Sequence, residues 1–183
     1  MDVVDITPPT LEPVSLERAK LFLRVEHDLE DDLIKDMIQA ARLAVENYTG
    51  SSLITRERRV SIYPSSVSSF SLSHRPIQSI QNLNIIRRDG NAVALLPEQY
   101  SVNLRANPAK VRITDPTLVK GSDSHIEIDI IAGYGLSGTD IPTPFIQAML
   151  LMIAQFYERQ GTAKDDLPMM VQALLMPYRG LRL

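Results

Sequence analysis

The sequence predicts an α+β fold, with helices at both ends of the chain and an antiparallel β-rich segment between them. Three observations carry this. Apolar residues recur at helical spacing over 15–50 and again over 144–176. From Leu53 to Ala132 the pattern changes to short alternating runs broken by turn residues. The return to helix is marked by Ala132-Gly133-Tyr134-Gly135, which ends a ladder, and by Ile141-Pro142-Thr143-Pro144, which launches a strongly apolar run. The expectation is one domain of 183 residues, its helical ends packed together and the sheet projecting from them.

Taken in order, residues 1–14 hold Pro8, Pro9 and Pro13 with no apolar period and read as an extended leader, either mobile or lying across a neighbouring surface. Ser15 caps a short helix whose Leu16, Ala19, Phe22 and Leu23 share a face and which stops near Val25. Asp28 starts a longer helix. Glu30, Asp31 and Asp32 place negative charge at its positive dipole end, and Leu29, Leu33, Met37, Ala40, Ala41, Ala44, Val45 and Tyr48 form one apolar stripe before Gly50 ends it.

Expected strands are Thr55–Tyr63, Ser69–Ser73, Leu83–Arg87, Ala92–Leu95, Tyr100–Leu104, Lys110–Thr114 and His125–Ile131. Asp89-Gly90 signals a hairpin and Asn107-Pro108 another turn, while Pro116 to Ser124 reads as a polar loop. Thr143 caps the third helix, Pro144 to about Gln160, whose Phe145, Met149, Met152, Ile153 and Phe156 make it the centre of the fold. Asp165 and Asp166 cap a last short helix with Met170, Val171, Leu174 and Leu175, closed by Pro177.

Composition narrows the function. A chain of this length buries roughly 70% of the surface its unfolded form exposes, so it needs no metal or disulfide staple. The absence of cysteine removes disulfides, thiolate metal sites and Cys nucleophiles. A net charge of −3 offers no global basic field for nucleic acid. The acidic start and the short longest apolar run, Ala148 to Ala154, fit neither a secretion signal nor a membrane span, so a soluble protein made in the cytosol is expected.

No catalytic pattern emerges. His27, His74 and His125 sit in different elements without metal-ligand spacing, and the acidic clusters are accounted for by helix dipoles and caps. Gly133-Tyr134-Gly135 lacks the third glycine and the lysine of a phosphate loop, and the serine-rich stretches lack a nucleophile elbow. A basic edge is the better candidate. Arg56, Arg58 and Arg59 lie in the first expected strand, Arg56 and Arg58 on one face, and Arg87-Arg88 precede the Asp89-Gly90 turn. They read either as a solvated edge strand guarded by charge or as a face that contacts a partner or DNA. The methionines, Met149, Met152, Met169, Met170 and Met176, read as core filler. The end of the chain interleaves Tyr178, Leu181 and Leu183 with Arg179 and Arg182 and reads as a docking tail, with a segment folded back on its own core as the alternative.

Several short motifs in this order resemble those of the head-tail connector, or adaptor, proteins of long-tailed bacteriophages and gene transfer agents. They are Pro13-Val14-Ser15-Leu16, Tyr48-Thr49-Gly50, the segment from Ala132 to Arg159, and Leu174-Leu175-Met176-Pro177-Tyr178-Arg179. The resemblance implies a structural protein of the virion neck, neither an enzyme nor dependent on a cofactor. It would assemble as a ring, commonly twelvefold, beneath the portal protein, extend the DNA channel with only non-specific contact to DNA, and meet a stopper or other tail-proximal neck protein without touching membrane. Tyr178, Arg179, Leu181, Arg182 and Leu183 would then be the portal anchor. A DNA-binding regulator that uses its N-terminal helices is the alternative, but the longer of those helices carries Glu30, Asp31, Asp32, Asp36 and Glu46 against Lys35 and Arg42.

Overall fold

The computed structural model describes residues 2–63, 68–72, 74–106, 108–119, 124–158 and 167–179. It combines helices with antiparallel sheet, an α+β chain. The chain divides into two compact units, one built from residues 1–8 and 55–133, the other from 9–54 and 134–183.

In the helical unit, α1 spans Leu16–Leu23, and the Ser15 side chain accepts a hydrogen bond from the Arg18 N–H (3.2 Å), a working N-cap. Arg24 closes the helix in the left-handed region at φ 60°, a conformation that sequence alone would reserve for glycine. Lys20 then reaches across to Asp28 (2.6 Å) and Asp31 (2.7 Å), fixing the turn into the next helix. That helix, α2, is Asp31–Thr49, three residues shorter at its start than the sequence suggests, and Gly50 ends it at φ 67°. Leu29 therefore lies outside the helix and is 92% exposed, while Leu33 and Ala40 face solvent. The buried stripe is narrower: Ile34, Met37, Ile38, Ala41 and Val45.

The helix α3, Thr143–Glu158, takes Thr143 as its first residue rather than as its cap, a one-residue shift of the kind helix ends commonly show. It buries Phe145, Ile146, Ala148, Met149, Leu150, Met152 and Ile153 in one core with the α2 stripe, Ala19 of α1, and Val171 and Leu175 of α4 (Met169–Leu175). Leu53 and Ile54, read from sequence as the start of the β segment, are fully buried in this helical core. The proposed caps Asp165 and Asp166, and the end of the third helix at Gln160, lie outside the described residues.

Two glycines have no substitute here. A Cβ on Gly138 would collide with the Pro13 carbonyl oxygen, and one on Gly135 with the Asp140 side chain. Residues 135–140 can therefore lie tight against the entry to α1, with Ser137 N–H and Oγ both donating to Asp140 Oδ2.

In the β unit, strands β1 (Asp2–Asp5), β2 (Arg56–Ile62), β4 (Ile77–Ile86), β5 (Ala92–Ala94) and β8 (His125–Ala132) form a five-stranded antiparallel sheet in the order β1-β2-β8-β4-β5. Strands β3 (Ser69–Leu72), β7 (Ala109–Ile113) and β6 (Tyr100–Asn103) form a second sheet in that order. The two share an apolar core in which Val60, Leu83, Ile85, Ile126, Ile128 and Ile130 meet Leu72, Val111 and Ile113. The expected leader thus begins as an edge strand, with Asp2 opposite Ser61 and Asp5 opposite Arg58.

Strand β4 starts six residues before the expected Leu83, and two register irregularities within Ile77–Asn82 explain the miss. Each extra residue breaks the alternation on which the reading depended. The Asp89-Gly90 hairpin is present: Gly90 N–H donates to Arg87 C=O, Gly90 adopts φ 82°, and Arg87 N–H donates to Asn91 C=O. The expected polar loop from Pro116 opens as a 3-10 turn, Pro116–Val119, that buries Val119. Asn107 of the second expected turn lies outside the described residues.

Candidate docking surfaces

The C-terminal segment is tied to the helical core as far as it is described. After α4 the chain makes a 3-10 turn over Met176–Tyr178, in which Pro177 supplies a fixed φ. The Tyr178 ring packs on Phe145 with centroids 4.6 Å apart, Phe145 packs on Tyr134 at 5.3 Å, and the Arg179 guanidinium lies 5.1 Å from the centre of the Tyr48 ring. Aromatic pairs of this geometry contribute about 0.5–1.5 kcal/mol beyond the area they bury. Tyr178, expected within a docking tail, is thus partly buried in its own fold, as the fold-back alternative has it, and Arg179 lies over Tyr48. Leu181, Arg182 and Leu183 lie outside the described residues.

Exposed apolar side chains concentrate elsewhere in the helical unit. Met149 and Met152 fill the core as expected, but Met169, Met170 and Met176 are exposed, Met169 at 87%. Leu21 and Phe22 of α1 and Leu33 and Leu43 of α2 are likewise open. The signal was in the sequence: Leu33, Ala40 and Leu43 recur at helical spacing on a face next to the buried one, and reading a single broad stripe merged the two.

The arginines of β2 are not a solvated edge. Strand β2 is interior, flanked by β1 and β8. Arg56 and Arg58 do share a face, but it is the face of Val60, and both reach Asp5 Oδ1, at 3.1 Å and 2.6 Å. Arg59 points to the other face and makes a two-pronged contact with Asp129, Nε to Oδ1 at 2.7 Å and Nη2 to Oδ2 at 3.0 Å, with Glu127 at 3.6 Å. Arg87 and Arg88 are exposed at the β4–β5 turn. In α2, Lys35 pairs with Asp32 (2.8 Å) and Arg42 is buried on Glu12 and Glu46, so the helix lacks the basic face that a DNA-reading element needs.

The Arg59 fork, and to a lesser degree Asn82, hold the Asp129 carboxyl below its ordinary value of 3.8, against a burial effect of opposite sign. A carboxylate lowered in this way adds stability above its unfolded value, and that stability is lost as pH falls through the folded value. Asp129→Asn is accordingly expected to lower stability at neutral pH by about 1.5–3 kcal/mol. The gap to the parent chain should close as pH drops below 3.8. Thermal melts of both proteins from neutral to acid pH check this; a gap independent of pH would assign the loss to packing.

The molecule is thus a small α+β chain with neighbouring elements joined by internal ion pairs, apolar helix faces left open, and an aromatic column tying its end to its core. The family model described as phage gp6-like head-tail connector protein matches residues 13–91. The fold is similar to chains in three solved structures. The first, described as the virion of a native gene transfer agent (GTA) particle, aligns with a TM-score of 0.83 at 22% identity, covering 100% of this chain and 97% of that one. The second, the neck of an empty GTA particle computed with C6 symmetry, gives 0.80 at 22% identity with the same coverage. The third, the neck of a native GTA particle computed with C12 symmetry, gives 0.77 at 21% identity, again covering 100% and 97%. No curated protein sequence matches. The resemblance to head-tail connectors read from short motifs therefore has independent support in a family match and in a whole-chain fold likeness.

Proposed function

We propose that this protein is a structural adaptor of the neck of a phage or phage-like particle, made in the bacterial cytoplasm and incorporated into the virion. It forms a ring beneath the portal protein, joins the DNA-filled head to the tail, lengthens the DNA channel, and presents its far face to a stopper or other tail-proximal component. The observation that carries this is the fold likeness over 100% of the chain to GTA particle chains, two of them in necks computed with C6 and C12 symmetry, together with the connector-family match. The helical unit is the body of a single connector domain and the β-rich unit its insertion. Exposed Leu33, Leu43, Met169 and Met170 suit ring contacts better than solvent. The role is mechanical, with no reaction catalysed.

Within this reading the portal anchor is narrowed to Leu181, Arg182 and Leu183, because Tyr178 and Arg179 are engaged with Phe145 and Tyr48. Truncation after Arg179 retains those contacts and is expected to leave the circular dichroism spectrum unchanged while yielding tailless particles in electron micrographs. Tailed, infectious particles from the truncated chain would remove the anchor from the C-terminus. Normal tails on particles made with the whole gene deleted would sink the adaptor reading itself.

A further inference from the structure

The outer face of the three-stranded sheet carries cations and neutral polar groups among its described residues. Strand β7 alternates buried Ala109, Val111 and Ile113 with exposed Lys110 and Arg112. The register places Arg112 between Ser69 of β3 and Ser101 of β6, and Lys110 between Ser71 and Asn103. All six side chains are exposed and stand on one face by the alternation of the strands. The result is two parallel rows, each a cation flanked by hydroxyl or amide groups, and none of the three strands carries a carboxylate. Asn103 Oδ1 is taken by the N–H groups of Arg105 and Ala106, which leaves its amide nitrogen as the donor and sets a third exposed cation, Arg105, at the end of the rows. The nearest acidic residues in sequence, Glu98 and Asp115, precede β6 and follow β7, and Asp115 Oδ1 already accepts from Thr117 N–H and Oγ1.

The outer face of the five-stranded sheet is the opposite. By the same alternation Asp2, Glu57, Glu127 and Asp129 share it with Arg59 and His125, and Arg59 is consumed by Asp129 and Glu127. That face repels a polyanion. The three-stranded face attracts one, with donors of the kind that hold phosphate oxygens without reading sequence.

We propose that the outer face of the three-stranded sheet, centred on Lys110 and Arg112, is the surface that contacts the sugar-phosphate backbone of duplex DNA. The inference rests on the adaptor reading and adds to it the face that meets the channel DNA. Lys110 and Arg112 are two residues apart along one strand, about 7 Å. Phosphates on one DNA strand rise ~3.4 Å along the helix axis and step sideways around it, about 7 Å apart in all, so the two cations match successive phosphates. The serines and Asn103 supply neutral hydrogen bonds on either side. Such a contact is sequence-blind and weak in a single copy, which lets DNA slide past, and repetition around a ring multiplies it.

The test is binding of the full-length protein to a short random-sequence duplex, followed by fluorescence anisotropy over a series of salt concentrations. The comparison is among the parent chain, Lys110→Gln/Arg112→Gln, and Arg87→Gln/Arg88→Gln. The parent is expected to bind measurably at low salt. Losing two phosphate contacts should flatten the slope of log K against log salt by about 1.8, so that the parent loses about tenfold more affinity than the Lys110/Arg112 variant between 50 and 200 mM salt. The Arg87/Arg88 variant should keep the parent slope. The proposal is overturned if the parent does not bind, if the Lys110/Arg112 variant keeps the parent slope, or if the Arg87/Arg88 variant alone flattens it. It is overturned equally if the Lys110/Arg112 variant binds DNA normally but no longer assembles, which would make the face a protein interface. Tail joining in the gene-deletion experiment reads the adaptor function separately.

Discussion

Met152→Asp is expected to prevent folding of the helical unit. Met152 is 5% exposed, in the one core that α1, α2, α3 and α4 share. Met152 sits in a hydrophobic cluster, and the buried cation of this unit among the described residues, Arg42, is already held by Glu12 and Glu46, so the new carboxylate either stays charged without water or is protonated at neutral pH. Either outcome costs several kcal/mol, to which the lost thioether packing adds, against a total stability of roughly 5–15 kcal/mol. Circular dichroism and a thermal melt read the result directly. An unchanged melting temperature would mean that α2 and α3 do not pack through this face.

Arg42→Leu should come next in severity. The Arg42 side chain is 4% exposed and ties the segment before α1 to α2: Nε and Nη2 donate to the two oxygens of Glu12 (2.8 and 3.2 Å), and Nη1 donates to Glu46 Oε2 (3.2 Å). Glu46 Oε1 in turn accepts the Leu53 N–H at 2.7 Å, so the same carboxylate fixes the chain where it leaves the helices. Removing the cation leaves Glu46 charged and buried, a change that costs about 3–5 kcal/mol when one partner of a buried pair is deleted. Adding Glu46→Gln to Arg42→Leu should recover part of the loss, since a neutral amide oxygen still accepts the Leu53 N–H. Urea titrations of parent, single and double variants separate these terms. A single-variant loss below about 1 kcal/mol would place the cluster with solvated surface pairs.

Local chemistry was legible in the sequence, and long-range pairing was not. Ser15, Gly50 and Asp89-Gly90 act within a few residues of themselves, and each performs the role its side chain or backbone freedom suggests. The helical cores of α2 and α3 were readable because a period near 3.6 survives any choice of partner. Arg56, Arg58 and Arg59 looked like an exposed edge because their counter-ions, Asp5 and Asp129, come from strands distant in sequence. Asp2–Asp5 could not be recognised as a strand: it is four residues long, acidic at both ends, and stabilised only by a partner more than fifty positions away. The Lys110 and Arg112 rows escaped notice for the same reason, since one strand shows two cations but only the register of three strands shows that no acid accompanies them. The sequence left Tyr178 open between a docking tail and a fold-back on the core, because nothing in a terminal tyrosine announces a phenylalanine more than thirty residues earlier as its neighbour.

The small edge strand β1 also governs how the protein can be taken apart. Because the chain begins in the β unit, departs after Pro8, and re-enters at Thr55, an excised 55–133 fragment would lack one of its five strands. Its β2 would present a bare row of backbone donors and acceptors, and Arg56 and Arg58 would face an apolar core without Asp5. Such a fragment invites self-association through that edge, whereas a fusion joining residues 2–8 to 55–133 through a flexible linker restores both the hydrogen-bond ladder and the charge balance. During synthesis the same arrangement delays completion of the sheet, since β1 is made before all of α1 and α2 and must wait for them before its partner β2 exists.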